Sequence, residues 1–291
     1  MATNEAKRRI VETVQLTDHE IRHVTRNASQ EADRILRDLD GREGVAAEVR
    51  RAKTRLAQAN VNMWGDVKDA TRVGIGDAFD SATDYQALFD ERMFKAAGVD
   101  PAYWRQSMLA ESRQGIESYI SRRENGYTLS DRVYRNQALS KGYVDRAVNN
   151  GLLLGKSAAE IANDVRGFIS PNVPGGASYA AMRLGRTEVV NAYHQTNVRQ
   201  MQREPWVERA LWNLSGSHPR PDECNEYAED VTFRGGEPGE WLTNSIPSKP
   251  HPQCLCYITP VLMDLDEFAA RFKRGEYDNH INDVMGCSSV A

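Results

Sequence analysis

The sequence has no apolar stretch long enough to span a bilayer, which argues against a membrane-embedded protein. The apolar core of a secretion signal is also missing from its first residues, Met-Ala-Thr-Asn-Glu-Ala-Lys-Arg-Arg. We therefore expect a protein that is made and used in a cytoplasm. Its 291 residues, 40% hydrophobic and 27% charged, are sufficient for one large domain or two modest ones.

The chain has little excess of either charge, with a formal net charge of −4, but the charges are unevenly distributed. From Asp222 onward there are 13 acids and 5 bases, whereas 28 acids and 32 bases precede it. General DNA-binding proteins usually carry a concentrated basic face, which this distribution does not indicate. Any contact with nucleic acid would depend on a few arginines.

Cysteine is scarce, and the four cysteines are Cys224, Cys254, Cys256 and Cys287. In a reducing cytoplasm such residues are more often thiols or metal ligands than disulfides. Cys254 and Cys256 are also too close in sequence to bridge one another comfortably. Thiolate and imidazole are the natural ligands of zinc, and four of them complete a closed tetrahedral site.

The candidate metal ligands are Cys224, His251, Cys254 and Cys256. A zinc ion held by them would join residues 215–229 to residues 249–259, where the predicted strands are too short to be stable alone. The spacing departs from the usual zinc pattern, because one cysteine and a Cys-x-Cys replace two pairs of cysteines two to four residues apart. Buried small side chains in a proline-rich turn are the alternative interpretation.

No complete catalytic motif is present. A hydrolytic zinc site on a helix needs His-Glu-x-x-His, which the sequence does not contain. A zinc deaminase needs Pro-Cys-x-x-Cys, and residues 252–256 are one residue short of it. Residues 73–77 and 151–157 have only part of a phosphate-loop pattern, and no strand precedes either of them. A structural role is therefore favoured over catalysis.

Apolar spacing predicts a mostly α protein, in which an N-terminal helical hairpin or bundle is followed by a small α+β C-terminal module. Apolar positions three and four apart indicate amphipathic helices over residues 21–39 and 49–63. These helices either pack on themselves or reach a partner. Breaks in the helical structure are expected at Gly74, Gly76, Asp80, Gly98 and Pro101.

Helices are also predicted over residues 103–123, 157–169, 178–202 and 265–272, and strands over 208–214, 231–233 and 256–259. Ser157 and Glu160 have the spacing of a capping box, and Gly155 is expected to end the preceding helix. Arg186 and Glu188 point to different sides of their helix, so we expect one or the other to form an ion pair with the β segment that follows.

The second half of the chain contains a series of motifs whose order is informative about its family. A helix with Arg186-Thr-Glu188 precedes an aromatic strand at Trp212, then Arg220-Pro-Asp-Glu-Cys224, and finally Pro250-His-Pro-Gln-Cys-Leu-Cys256. This order resembles the phage Mu F-like family of minor head proteins, also called head-morphogenesis proteins. The resemblance covers roughly residues 127–261, and its most specific element is His-Pro-x-Cys-x-Cys after an Arg-Thr-Glu helix.

The sequence departs from that family at two positions. Family members carry Cys-x-x-Cys before the His-Pro element, whereas here Pro221 takes the first cysteine position and Cys224 the second. His218 or Asp222 is the candidate replacement for the missing ligand. Leu255 stands where arginine is usual.

The resemblance implies a structural minor capsid protein of a tailed bacteriophage, located in the virion at the portal vertex or head interior and assembled in the host cytoplasm. It implies a role in head assembly or genome delivery, with no enzymatic activity. The implied partners are the portal protein, the major capsid protein or both, in a symmetric assembly of several copies that contacts packaged DNA and no membrane. The alternative is a metal-dependent hydrolase or nuclease that acts in head maturation.

The predicted domains combine this resemblance with the helical spacing of the N-terminal half. Residues 1–125 form a helical region that docks on a partner or portal, residues 126–264 the Mu F-like domain, and residues 265–291 a C-terminal helix and tail. Zinc is the implied cofactor, and Arg186, Glu188 and Trp212 are structural residues.

Overall fold

The computed structural model describes residues 2–40, 46–169, 175–216, 218, 221–230 and 236–287. Most of these residues lie in helices, and a small antiparallel sheet lies near the C-terminal end. The predicted fold class, mostly α with a small α+β C-terminal module, is confirmed. Within the described ranges, no helix combines the length and the apolar character needed to cross a membrane.

The helices are α1 Ala2–Asp40, α2 Ala46–Ala97, α3 Ala102–Ser121, α4 Leu129–Leu153, α5 Ala158–Ile169, α6 Ala177–Arg203, α7 Glu223–Glu229, α8 Leu265–Lys273 and α9 Asp278–Cys287. The strands are β1 Val207–Asn213, β2 Glu240–Leu242 and β3 Tyr257–Leu262. The helices expected over 103–123, 178–202 and 265–272 and the strands expected over 208–214 and 256–259 are confirmed. The strand predicted over 231–233 lies outside the described residues.

The chain divides into two compact units that are each built from separate segments. The first unit comprises Met1–Val14, Ile75–Tyr119 and Thr187–Ala291, and the second comprises Gln15–Gly74 and Ile120–Arg186. The domain boundaries after residues 125 and 264 remain a prediction.

The predicted breaks at Gly74, Gly76 and Asp80 are wrong, because α2 continues through all three positions. Ile75 and Phe79 are fully buried within this stretch. Burial of such large side chains is worth more than the cost of a glycine in a helix interior, which is about 1 kcal/mol. Packing therefore keeps the helix continuous where local propensity favours an end.

The predicted break at Gly98 and Pro101 is confirmed. Helix α2 ends at Ala97, and Gly98 takes a φ of 79°, in the left-handed region that glycine adopts at helix ends. The amide of Val99 donates to the carbonyl of Phe94 at 2.9 Å, which satisfies one of the last carbonyls of the helix.

The end of α4 and the start of α5 also follow the prediction. Gly155 takes a φ of 66° just after α4. The hydroxyl of Ser157 then accepts from the amide of Glu160 at 3.3 Å, and the carboxylate of Glu160 accepts from the amide of Ser157 at 2.7 Å. This is the predicted capping box.

The second unit has its own apolar core, to which α1, α2, α4 and α5 contribute. Its buried members include Ile35, Leu36, Val49, Leu56, Val144, Val148, Ile161 and Val165. The heptad-like spacing of α1 and α2 thus places apolar side chains in a shared core, as expected for helices that pack on one another.

The first unit contains the three-stranded sheet, in the order β2-β1-β3 with both pairs antiparallel. Below it lies an aromatic core formed by Phe94, Trp104, Trp206 and Phe268, whose rings contact one another at centroid distances of 5.3 to 6.1 Å. The same core includes the three cysteines at the end of the sheet, Cys224, Cys254 and Cys256. The sheet and its core therefore position the candidate metal ligands.

Candidate metal centre

Cys224 lies in the first turn of α7, and the start of this short helix is fixed by its cap. The carboxylate of Asp222 accepts from the amide of Cys224 at 2.8 Å, and the side-chain oxygen of Asn225 accepts from the amide of Asp222 at 3.1 Å. This reciprocal cap holds the buried Cys224 thiol at the helix N-terminus.

The other cysteines lie in the turn that leads into β3. Gln253 takes a φ of 61°, an uncommon left-handed conformation for a side chain of this type. Its amide donates to the hydroxyl of Thr187 on α6 at 3.2 Å, which ties the turn to the helix. Cys254 and Cys256 follow directly, both buried, and β3 starts at Tyr257.

The donor atoms lie at the separations that a tetrahedral ion requires. The Sγ atom of Cys224 is 3.4 Å from that of Cys254 and 3.5 Å from Nε2 of His251. Zinc bonds of about 2.3 Å to sulfur and about 2.0 Å to nitrogen give ligand–ligand separations of about 3.5–3.8 Å. The predicted set of Cys224, His251, Cys254 and Cys256 therefore lies within metal-binding distance.

His218 adds a second imidazole to this group. Its Nδ1 atom is 3.9 Å from Sγ of Cys256, and the three donors of His218, Cys224 and Cys256 lie within 4.8 Å of one another. The other ring nitrogen of His218 is 2.8 Å from the side-chain oxygen of Asn225. A metal-binding histidine usually has such a partner on its second nitrogen, so His218 is well oriented to replace the missing cysteine.

Asp222, the other candidate replacement, contacts the histidines. One carboxylate oxygen of Asp222 is 3.1 Å from Nε2 of His251, and the other is 3.4 Å from Nε2 of His218. Its place in the helix cap and beside both rings fits a role in orienting ligands better than a role as a ligand.

The three thiols influence one another's ionisation. Hydrogen bonds from the thiols of Cys224 and then Cys256 lower the pKa of Cys254, and the positive charge of Lys249 lowers it further. The same hydrogen bonding to Cys254 raises the pKa of Cys224. Cys254 is therefore the thiol that ionises first, which is the form that binds a metal.

Lys249 brings a positive charge close to the sulfur atoms. Its Nζ atom is buried, has no hydrogen-bond partner in the described part of the chain, and lies 5.4 Å from the centre of the Trp212 ring. Burial lowers the pKa of Lys249, whereas negative charge on the three cysteines raises it. A negatively charged neighbour would offset the cost of burying this ammonium group.

The remaining predicted site residues lie apart from the thiols. Arg186 forms its ion pair with Asp18 of α1, in the second unit, with Nε 2.7 Å from Oδ2. Arg186 therefore pairs with α1, and the expected ion pair of Arg186 or Glu188 with the following β segment stays a prediction. The side chain of Glu188 is 1% exposed, and its carbonyl accepts from the hydroxyl of Tyr119 at 2.9 Å.

Trp212 lies on β1, where it is buried. Its ring makes edge contacts with His194 and Tyr227 at centroid distances of 5.6 and 5.1 Å. Sequence reasoning did not identify Thr187 or Lys249 as parts of the site. Both belong to quoted motifs, but their roles depend on contacts with residues 66 and 37 positions away, Gln253 and Trp212.

The donor set has a clear chemical preference. Three thiols and two imidazoles suit zinc, and they exceed the four positions of a tetrahedral ion. Such a set would fill a bound ion with protein ligands, as in structural sites, whereas a catalytic ion keeps one position for water or substrate.

Comparison of the chain with protein-family models, with curated proteins and with solved structures finds no match. The function is therefore argued from the geometry of the Cys/His group and from the motif order.

Proposed function

We propose that the Cys/His group binds one zinc ion in a closed structural site that stabilises the C-terminal module. The observation that carries this proposal is the spacing of Cys224, Cys254 and His251, whose donor atoms lie 3.4 and 3.5 Å apart. Three thiolates, one neutral imidazole and a divalent ion together carry one negative charge. The buried Lys249 ammonium supplies the matching positive charge.

The fourth ligand is one of two histidines. His251 is the predicted ligand, and its Nε2 atom is 3.5 Å from the sulfur of Cys224. The other candidate is His218, whose Nδ1 atom lies 3.9 Å from the sulfur of Cys256. Because each ring has a hydrogen-bond partner that can orient it, replacement of one histidine is expected to weaken binding less than replacement of a cysteine.

Metal analysis of the purified chain tests this proposal. We expect one equivalent of zinc in the native protein, and loss of zinc in Cys254→Ser and in Cys256→Ser. His251→Ala and His218→Ala are each expected to retain part of it, because the other histidine can take the fourth position. Cys287→Ser, outside the predicted set, is the matched control and should retain full zinc.

Two results would contradict a structural zinc site. One is a native protein that binds no zinc when it is purified under reducing conditions with zinc present. The other is a Cys256→Ser variant that stays folded but loses a measurable hydrolytic or nuclease activity, which would favour the catalytic alternative.

We further propose that the chain is a structural minor head protein of a tailed bacteriophage, associated with the portal or major capsid protein in the virion. The motifs that carry the resemblance support this, because they contact one another in the first unit. Thr187 of the Arg-Thr-Glu helix accepts from Gln253 of the His-Pro-x-Cys-x-Cys element. Trp212 packs on α7, the helix that carries Cys224, through Tyr227.

Analysis of phage particles tests the head-protein role. We expect mass spectrometry to detect the chain in purified particles, and the full-length chain to co-purify with portal or capsid protein from the same phage. Its absence from both mature particles and empty precursor heads would refute a virion role. That outcome would leave the zinc measurement unaffected, so the two proposals can fail separately.

A further inference from the structure

A cavity with mixed polar and apolar walls lies in the first unit, away from the cysteines. It lies between α3 and α6, with one side chain of α2 at its floor, and has a volume of about 300 Å³. The residues that matter for its chemistry are Phe79, Met108, Arg199, Gln200 and Glu204. This volume is at the small end of the range for ligand pockets.

Gln200 presents an unpartnered oxygen in this cavity. The side chain is 8% exposed, and its Nε2 atom donates to the hydroxyl of Thr83 at 2.8 Å. The single hydroxyl hydrogen of Thr83 serves either the carbonyl of Phe79 at 2.9 Å or the hydroxyl of Ser112 at 2.8 Å, so Thr83 accepts from the amide of Gln200. That network fixes the amide orientation and leaves Oε1 of Gln200 buried without a hydrogen-bond partner in the described part of the chain. A buried oxygen of this kind is expected to accept a hydrogen bond from a bound molecule.

Arg199 supplies a positive charge at the opening. Its side chain is exposed, and no carboxylate among the described residues lies within ion-pair distance of it. A β-carbon placed on Gly115 of α3 would lie 3.6 Å from Nη1 of Arg199 and 3.1 Å from the ring of Phe79. The guanidinium group therefore reaches across the cavity toward α3, and the glycine keeps the space open.

Glu204 does not cancel this charge near neutral pH. The carboxyl group is 3% exposed, and burial raises its pKa to about 8, so it remains protonated. Its Oε2 atom has no hydrogen-bond partner among the described residues, and Nε2 of His280 lies 3.9 Å from it. The cavity wall thus combines two arginines, Arg199 and Arg203, with neutral polar groups inside.

We propose that this cavity binds a small organic anion that also carries an O–H or N–H donor. The anionic group pairs with Arg199, the donor satisfies Oε1 of Gln200, and an apolar body contacts Phe79 and Met108. A carboxylate and a phosphate monoester share this chemistry, and both fit the cation. The inference is independent of the zinc site and of the proposed virion role.

NMR titration of the full-length chain with matched small molecules tests the proposal. The anions with a donor are 3- and 4-hydroxybenzoate and 3-hydroxyphenyl phosphate, whereas benzoate lacks the donor and 3-hydroxybenzyl alcohol lacks the charge. We expect at least one donor-bearing anion to bind about tenfold more tightly than benzoate and than the alcohol. Tighter binding of the phosphate would identify a phosphate monoester as the ligand class, and tighter binding of a hydroxybenzoate an organic acid.

Arg199→Gln is the decisive variant, because the side chain is exposed and its replacement should not disturb folding. We expect it to weaken binding of the donor-bearing anion about tenfold. The matched control is Arg92→Gln, which replaces an exposed arginine of α2 outside the cavity and should leave binding unchanged. The proposal is wrong if no anion binds at concentrations up to about 10 mM. Equal binding to Arg199→Gln, or equal binding of the alcohol or benzoate, also overturns it.

Discussion

Removal of zinc is expected to unfold the C-terminal sheet and lower the free energy of unfolding by several kcal/mol. The strands contain 7, 3 and 6 residues, which is too little hydrogen bonding to hold a sheet without further support. The Cys/His group brings α7 next to the turn before β3, so a bound ion would join these two segments. Calorimetric unfolding with and without a strong chelator measures the effect.

Cys224→Ser provides the sharper form of this experiment, because Cys224 belongs to both groups of three donors. We expect this variant to unfold at a lower temperature than the native protein, and to show no further change when chelator is added. Cys287→Ser should behave as the native protein does, including its sensitivity to chelator. Equal unfolding temperatures for native protein and Cys224→Ser, with zinc present, would contradict a stabilising ion.

Features that depend on neighbouring residues could be predicted from the sequence. The capping box needs only Ser157 and Glu160, and both of its hydrogen bonds form. Strand β1 is a short run with Ala210, Leu211 and Trp212 between proline- and glycine-containing segments, and α6 has no proline over its 27 residues. The candidate metal ligands were also recognisable, because cysteine is scarce and three of the four cysteines occur with a histidine near one end of the chain.

Features that depend on distant contacts could not be predicted. Gly74 and Gly76 favour a break locally, and only the burial of Ile75 and Phe79 keeps α2 continuous. Strand β2 has three residues, too few to show a period, and exists because β1 pairs with it.

The orientation of His218 and the partner of Arg186 also depend on contacts that the sequence does not reveal. His218, a candidate ligand from the sequence, is oriented by Asn225, and Arg186 pairs with Asp18, which lies 168 positions earlier. No local pattern encodes either contact. A local pattern can therefore suggest which residues carry the chemistry, but the pairing that orients them is a property of the fold.

Replacement of Glu204 by glutamine is expected to raise the free energy of unfolding by about 3 kcal/mol at pH 7. The carboxyl group is buried, and burial raises its pKa from 4.5 to about 8. Between these values the folded protein holds a proton that the unfolded chain has released. Unfolding is therefore favoured by rising pH, and the stability of the native protein should fall from about pH 4.5 to about pH 8 and then level off.

Glutamine has nearly the same shape and cannot ionise, so the variant should lose most of this decline. Part of it will remain, because burial also raises the pKa of Asp90 well above its usual value, despite hydrogen bonds from the indoles of Trp206 and Trp104. Glu208→Gln, at an exposed position on β1, should leave the pH profile unchanged. Denaturant unfolding at several pH values measures the three profiles. Parallel profiles for native protein and Glu204→Gln would mean that Glu204 is ionised in the folded protein, and that a cation or a rearranged partner compensates its charge.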